Sequence, residues 1–383
     1  MRIGQRRRGV QTAGQALLAL AGLVFVGWVL YRSQQTTPEP WPPPPRAVAP
    51  VARPEPAPPA APGTGTNRPG HGPSYNVTPL PGIAPNPAAP FAAEAVGAPR
   101  PVANVLEAQI ALARRGFSSG SLDGVMGYQT RAALRAFQRQ AGLPVTGVLD
   151  ATTRARLLIE PPAFIGRVIR TNDLARLLPV SPTWLGKSRQ PRLDFAHLLE
   201  LVAEEHRAHP ALLRRLNPGV DWDRAGPGSR VLVPHVPEPV LAGRLAFLRI
   251  YLQDRMLQGY DAQTNLLLHF PCSIAAQVEK RPLGRLTVVT AAALPNYTFN
   301  PARFPESAEA RALDRKLTLP PGPNNPVGVA WIGLDRPGYG IHGTPRPEDV
   351  GRTESHGCFR LANWDAALLL RLVWPGLPVY VEP

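Results

Sequence analysis

Hydrophobic and polar positions change rhythm several times along the chain, and each change marks an element. Gly9 to Tyr31 is one uncharged, largely apolar run behind Arg6, Arg7 and Arg8 and ahead of Arg32. As a helix it is roughly 34 Å long, enough for a hydrocarbon core of about 30 Å. The basic residues on its N-terminal side orient that end to the cytoplasm. The pattern predicts a single-pass signal-anchor over residues 1–35, with the rest of the chain exported. A cleavable signal peptide is the competing reading, disfavoured by the length of the run and by the lack of an A-x-A pattern after it.

Periodicity then vanishes. Residues 36–101 hold nearly half of the chain's 48 prolines, which remove backbone donors and fix φ, so a disordered or semi-rigid polyproline II spacer is expected, a weak SH3-type ligand being the other reading.

From residue 102 to 160 the helical period appears. Val105, Leu106, Ile110 and Leu112 form one apolar face and Ala133, Leu134, Phe137 and Leu143 another, with turns at Asp123-Gly124 and Thr146-Gly147. Three small helices are predicted. Residues 161–237 read as a helix, a second helix starting near Pro210, a stop at Asn217-Pro218 and a closing strand, whereas Phe164 to Pro191 lacks a strong strand signal. His197, His206 and His209 lie on or near the first of these helices and read as surface histidines. Beyond Pro239 the pattern is that of strands, as in "LAFLRIYLQDRMLQGYDAQTNLLLHFPCSIA", "GRLTVV" and "VGVAWIGL", and predicts a mostly β domain over 240–383. One late helix is predicted from Trp364 to Val373, with Asn363 as its N-cap and Asp365 in its first turn.

Composition changes this picture in two ways. The formal net charge is +15, but the basic residues are scattered without interleaved aromatics, which argues against nucleic acid and fits a polyanionic wall or bilayer. Only two cysteines occur, Cys272 and Cys358, too few for a disulfide scaffold. Cys272 sits in an apolar strand and reads as core. Cys358 has His356 two positions before it and His342 sixteen before it, among polar Ser355 and Arg360. That grouping suits a thiol nucleophile with its base, a metal site or a core thiol. The spacing disfavours structural zinc, and a glycine at 357 leaves backbone amides approachable.

Two stretches carry a family resemblance. Asp123, Gly124, Gly127, Thr130, Ala133, Leu134, Phe137, Gln138, Gly142 and Leu143 resemble the signature of the peptidoglycan-binding domain of wall hydrolases, most of these positions being structural. Leu216 to Pro218 and the helices before it are similar to a LysM module, an α+β fold that binds glycan strands. The H-x15-C spacing with S-H-G-C-x-R-L resembles the L,D-transpeptidase catalytic domain, the YkuD family, over roughly Gly243 to Pro383.

The resemblance implies a multidomain envelope protein, which the N-terminal run would anchor in the inner membrane with the catalytic domain in the periplasm or outside the membrane. It also implies a cofactor-free cysteine acyltransferase acting on peptidoglycan stem peptides. Cys358 would be the nucleophile and His342 the base, its other ring nitrogen held by a backbone carbonyl, that of Gly343. The amides of His356, Gly357 and Cys358 would form the oxyanion hole. His356, Gly343, Ser355, Arg360 and Tyr339 would line or shape the pocket, and Tyr297, Phe299, Phe304 and Tyr339 would make one side apolar. The acceptor is open between a second stem peptide, giving a 3-3 cross-link, and an outer-membrane lipoprotein. An L,D-carboxypeptidase and a non-catalytic wall tether are the alternatives. The helical module is expected to add local concentration on the polymer and no chemistry.

Overall fold

The computed structural model describes residues 97–383 apart from Pro305, Glu354 and His356. The anchor expected at 1–35 and most of the spacer expected at 36–101 lie outside the described residues, as does the side chain of His356. Among the described residues no helix is long and apolar enough to cross a membrane.

The first described segment is helical, as its periodicity predicts. Strand β1 (Arg100–Pro101) precedes α1 (Val105–Ala113), α2 (Tyr128–Gln140) and α3 (Ala151–Arg156), and β2 (Leu158–Ile159) closes back on β1. Asn104 caps α1 by accepting from the Glu107 N–H at 2.9 Å, and Asp150 caps α3 by accepting from Thr153 at 2.7 Å. The motif residues work as clamps. Buried Gln138 donates to Thr153 Oγ1 at 2.9 Å and accepts from the Gly147 N–H at 2.7 Å, which ties α2 to the following turn and to α3. Gln109 does the same for the Asp123-Gly124 turn, donating to Asp123 Oδ1 and accepting from the Gly124 N–H, both at 2.8 Å.

The next segment corrects two expectations. Phe164 begins a strand, β3 (Phe164–Val168), paired antiparallel with β4 (Arg230–Pro234) from Phe164↔Pro234 to Val168↔Arg230. Gly166 and Arg167 break its apolar run, so the order comes from the partner strand and is invisible locally. Between them lie α4 (Thr171–Ala175), α5 (Trp184–Ser188), α6 (Leu198–Glu205) and α7 (Pro210–Leu216). Asn217 stops α7 and also holds β4, donating to Leu232 O at 2.9 Å and accepting from the Leu232 N–H at 2.7 Å. Of the three histidines read as surface residues, only His197 is exposed. His209 is the N-cap of α7, accepting from the Ala211 N–H at 3.1 Å, and His206 lies 3.1 Å from Pro234 O. Burial holds both imidazoles below their ordinary pKa.

One apolar core passes through both segments, from Leu106, Ile110 and Phe117 to Leu213, Val231 and Val233, so packing does not stop at the expected boundary near residue 160.

The remaining residues build an eight-stranded sheet from β5 (Phe247–Tyr251), β6 (Met256–Tyr260), β7 (Leu266–Pro271), β8 (Gly284–Ala293), β11 (Ala330–Leu334), β12 (Gly340–His342), β13 (Phe359–Arg360) and β14 (Pro378–Glu382). Its order is β13-β12-β11-β8-β14-β5-β6-β7, parallel at β12/β13 and β14/β5 and antiparallel elsewhere. This is the mostly β domain expected from the sequence. Between β8 and β11, β9 (Tyr297–Phe299), α8 (Ala308–Ala312) and β10 (Leu317–Leu319) form a separate layer with its own small core of Leu193, Phe299, Ala310, Leu317 and Leu319.

Helix α9 (Asn363–Leu372) starts one residue earlier than expected, and Ala362 occupies its N-cap position. Asn363 therefore caps nothing. Asp365 in the first turn is buried rather than solvated: its Oδ2 accepts from Ser118 Oγ at 2.8 Å, and burial raises its carboxyl to about 7 against the pull of Arg207 and Ser118.

Candidate active site

Strand pairing puts Cys358 and His342 on one face of adjacent strands. β12 and β13 run parallel with Ile341 opposite Phe359 and His342 opposite Arg360. Ile341 and Phe359 point into the core of the sheet. Side chains alternate between faces, so His342 and Arg360 project from the other face, and one residue earlier Cys358 joins them beside Gly340. The crossover between the two strands runs through the short 3-10 turn Pro347–Asp349. On its far side the Cys358 segment is strapped to residues 273–276, with Ser273 and Arg360 exchanging backbone hydrogen bonds at 2.9 Å and Ser355 donating to Ile274 O at 2.7 Å.

The imidazole of His342 is buried, and its Nδ1 lies 2.6 Å from Gly343 O, the contact that the family resemblance implied. A carbonyl only accepts, so Nδ1 carries the proton and Nε2 is left as the acceptor. Trp331 stacks on the ring at 5.6 Å between centroids and 21° between planes, and lies across Gly340, where any Cβ would meet the indole at 2.7 Å. Burial pushes the imidazole down to about 4, while the Gly343 carbonyl works against that shift. The ring is neutral at physiological pH.

The thiol is half-buried, and its Sγ lies 3.5 Å from Gly338 O. Burial raises its pKa above the ordinary thiol value; the Gly340 backbone, Arg360 and Arg303 pull in the opposite direction. Cys272, in contrast, is wholly buried and donates to Ser273 O at 3.5 Å, with burial raising its thiol far more.

The other expected residues divide. Ser355 is buried; its Oγ donates to Cys358 O at 2.6 Å and accepts from the Gly357 N–H at 3.2 Å, which shapes the turn on which the thiol sits. Gly357 has open space where a side chain would stand. Tyr339 is half-buried at the end of the β11–β12 hairpin, with the Arg336 guanidinium 4.7 Å over its ring. Phe299 and Phe304 do not wall the thiol. Phe299 is fully buried and stacks on Trp184 at 4.2 Å, and Phe304 packs on Phe299 at 5.1 Å, so both belong to the small core shared with α5. Tyr297 from the same strand does reach the site: burial raises its hydroxyl pKa first, and the Cys358 thiolate adds to the shift.

Arg303 had no signal in the sequence. A Cβ on Gly338 would stand 3.9 Å from both of its terminal nitrogens, which puts an exposed guanidinium beside the carbonyl that receives the thiol. No local pattern distinguishes it from any other arginine in a loop.

Residues 246–381 match the family model described as "L,D-transpeptidase catalytic domain", and residues 102–157 match the model described as "Putative peptidoglycan binding domain". Over 192 residues the chain is 25% identical to the "Putative L,D-transpeptidase YkuD" of Bacillus licheniformis, covering 48% of this chain and 93% of the relative. A second relative, named "Putative L,D-transpeptidase in ATP synthase subunits region ORF 5" from Fuscovulum blasticum, is 34% identical over 33% of this chain and 65% of its own length. Among solved structures, an L,D-transpeptidase from Mycobacterium smegmatis aligns at TM-score 0.29 and 16% identity over 42% of this chain; the chain spans 65% of that protein's length.

Proposed function

We propose that the L,D-transpeptidase catalytic domain at residues 246–381 uses Cys358 as its nucleophile to form peptidoglycan cross-links through a thioester. The observation that carries this reading is the placement of one half-buried thiol on the same sheet face as an imidazole whose tautomer is fixed with Nε2 free.

His342 Nε2 takes the thiol proton as Cys358 Sγ attacks the carbonyl carbon between the diamino acid and the terminal D-alanine of a tetrapeptide stem. The tetrahedral oxyanion is held by backbone amides at Gly357 and Cys358, where the 3.2 Å contact from Gly357 to Ser355 is the one that gives way. The C–N bond breaks, D-alanine leaves with the proton from His342, and a thioester remains. An acceptor amine then attacks, gives its proton to His342, and the thiol is restored. A resting pair of neutral thiol and neutral imidazole fits this sequence, because the proton moves only as the carbon–sulfur bond forms.

Arg303 and Arg360 flank the sulfur and suit a donor rich in carboxylates. The acceptor we favour is the side-chain amine of a second stem, giving 3-3 links, with an outer-membrane lipoprotein as the other amine source. The peptidoglycan-binding segment supports an envelope location, and an anchor at residues 1–35 with a spacer over 36–101 would give reach. The antiparallel β3/β4 pair enclosing helices is consistent with a LysM-like segment that follows a glycan strand.

Incubation with disaccharide-tetrapeptide followed by mass spectrometry tests the reading. Dimers linked between diamino acids, and tetrapeptides that exchange their last residue for added D-methionine, are expected. Tripeptide alone, with no D-methionine incorporated, makes the enzyme a carboxypeptidase; no product at all makes it a tether.

A further inference from the structure

The peptide unit between Gly343 and Thr344 is used at both ends. Its carbonyl oxygen receives His342 Nδ1 at 2.6 Å, and its N–H, on Thr344, donates to Asn363 Oδ1 at 3.0 Å. The same Oδ1 accepts from the Val329 N–H at 3.3 Å. On the other side of the carboxamide, Nδ2 donates to Pro323 O at 3.2 Å and to Glu204 Oε1 at 2.9 Å. Asn363 is 1% exposed and all its hydrogen-bonding positions are filled.

Space for this carboxamide exists only because of two glycines. A Cβ at Gly343 would come within 2.2 Å of Asn363 Oδ1, and one at Gly328, where φ is +61, within 2.0 Å. Backbone from two loops closes on one side chain, whose orientation is therefore decided by its partners. Two N–H groups face one end and two oxygens face the other, so a flipped amide would set donor against donor and acceptor against acceptor. One of those oxygens lies outside residues 246–381. Glu204 sits at the end of α6, in the segment before it, and lines a cavity of about 290 Å³ with Glu200, Trp364 and Glu348.

We propose that Glu204 is a positioning residue for His342. By accepting from Asn363 Nδ2 it fixes the carboxamide, which fixes the Gly343–Thr344 peptide, whose carbonyl fixes the imidazole with Nε2 as its acceptor nitrogen. The inference rests on the reading of Cys358 and His342 as nucleophile and base of one acyl transfer, and it makes residues 161–237 part of the catalytic machinery as well as of any wall-binding surface.

The test uses the full chain and four variants: Glu204→Ala, Glu204→Gln, Asn363→Ala and Cys358→Ala. Steady-state kinetics on a disaccharide-tetrapeptide are read together with the downfield proton NMR signal of the His342 Nδ1–H. With Glu204→Ala, kcat falls about tenfold, the equivalent of one buried hydrogen bond, with KM little changed. The Nδ1 proton signal broadens or exchanges faster. Glu204→Gln keeps an acceptor oxygen and restores both, while Asn363→Ala exceeds the loss seen with Glu204→Ala. The inference is overturned if Glu204→Ala matches wild type in kcat and in the proton signal, or if Glu204→Gln is as impaired as Glu204→Ala. Loss of all turnover in Cys358→Ala confirms the reading on which the test rests; turnover surviving in Cys358→Ala removes that reading and the inference with it.

Discussion

Cys358 and Cys272 differ in what surrounds the sulfur. Cys358 is half-buried near two guanidinium groups, whereas Cys272 lies fully inside the sheet core with no charge to stabilise a thiolate. Cys358→Ala is expected to abolish acyl transfer while Cys272→Ala keeps most activity, and a carbapenem, as a strained acyl donor, is expected to add one covalent mass to the wild-type chain and to Cys272→Ala but none to Cys358→Ala, read by intact-protein mass spectrometry. Equal loss from both, with circular dichroism unchanged, would refute the assignment. The thiol also makes a pH prediction. Arg303 and Arg360 lower the Cys358 pKa against the rise from burial, so removing either positive charge destabilises the thiolate and raises the thiol pKa. The alkylation rate of Cys358 by iodoacetamide, followed against pH, should move its rising limb to higher pH in Arg303→Ala. A limb that stays in place, or moves to lower pH, would mean the guanidinium does not sense the sulfur.

Elements are held here by a few buried polar side chains, and two of them give stability predictions. Gln138 fixes the turn after α2; with alanine in its place the Gly147 N–H loses its partner, and a loss of about 2–4 kcal/mol is expected, read as a lower melting temperature in calorimetry. Asp365 in α9 behaves differently. Its folded pKa, about 7, stands above the ordinary carboxylate value, so between those two values the native state binds more protons than the unfolded one. Stability contributed by the protonated group is then full at low pH and declines as pH rises toward 7, by an amount of the order of a few kcal/mol. Asp365→Asn should flatten that decline in urea melts collected from pH 4 to pH 8. A wild-type slope of the opposite sign in that window would show that the attraction of the Arg207 charge outweighs burial.

At the scale of the whole molecule the helical module, the β3/β4 segment and the sheet are fastened by buried contacts: Ser118 to Asp365, Glu204 to Asn363, and Asn324 to Glu200 at 2.6 Å. The expectation that residues 104–234 supply only local concentration therefore changes. A chain cut to residues 240–383 takes Ser118 from Asp365 and Glu204 from Asn363, and should lose at least tenfold in turnover of small soluble muropeptides in addition to sacculus binding. Unchanged turnover in such a fragment, with native near-ultraviolet circular dichroism, would show that the junction is dispensable.

What the sequence determined by itself was local or motif-borne. The 3.6-residue period of α1 and α2, the strand content after residue 239 and the grouping of His342 with Cys358 are visible because helix faces, strand runs and reactive side chains repeat over short distances. The D-G and F-Q positions were legible as structural for the same reason, since each closes a turn within a few tens of residues. Tertiary structure decided what depends on partners far along the chain. β3 has order only through β4, more than sixty residues away, and Phe299 faces Trp184 because a second layer folds over α5. Asn363 looks like a helix cap in a linear reading, since cap residues are chosen by chain neighbours. Its carboxamide instead serves residues 204, 323, 329 and 344, and Arg303 reaches the thiol only because the loop between β9 and α8 returns to Gly338. Short-range periodicity encodes elements, whereas the hydrogen-bond partners of a buried polar group are set by the packing that brings distant segments to it.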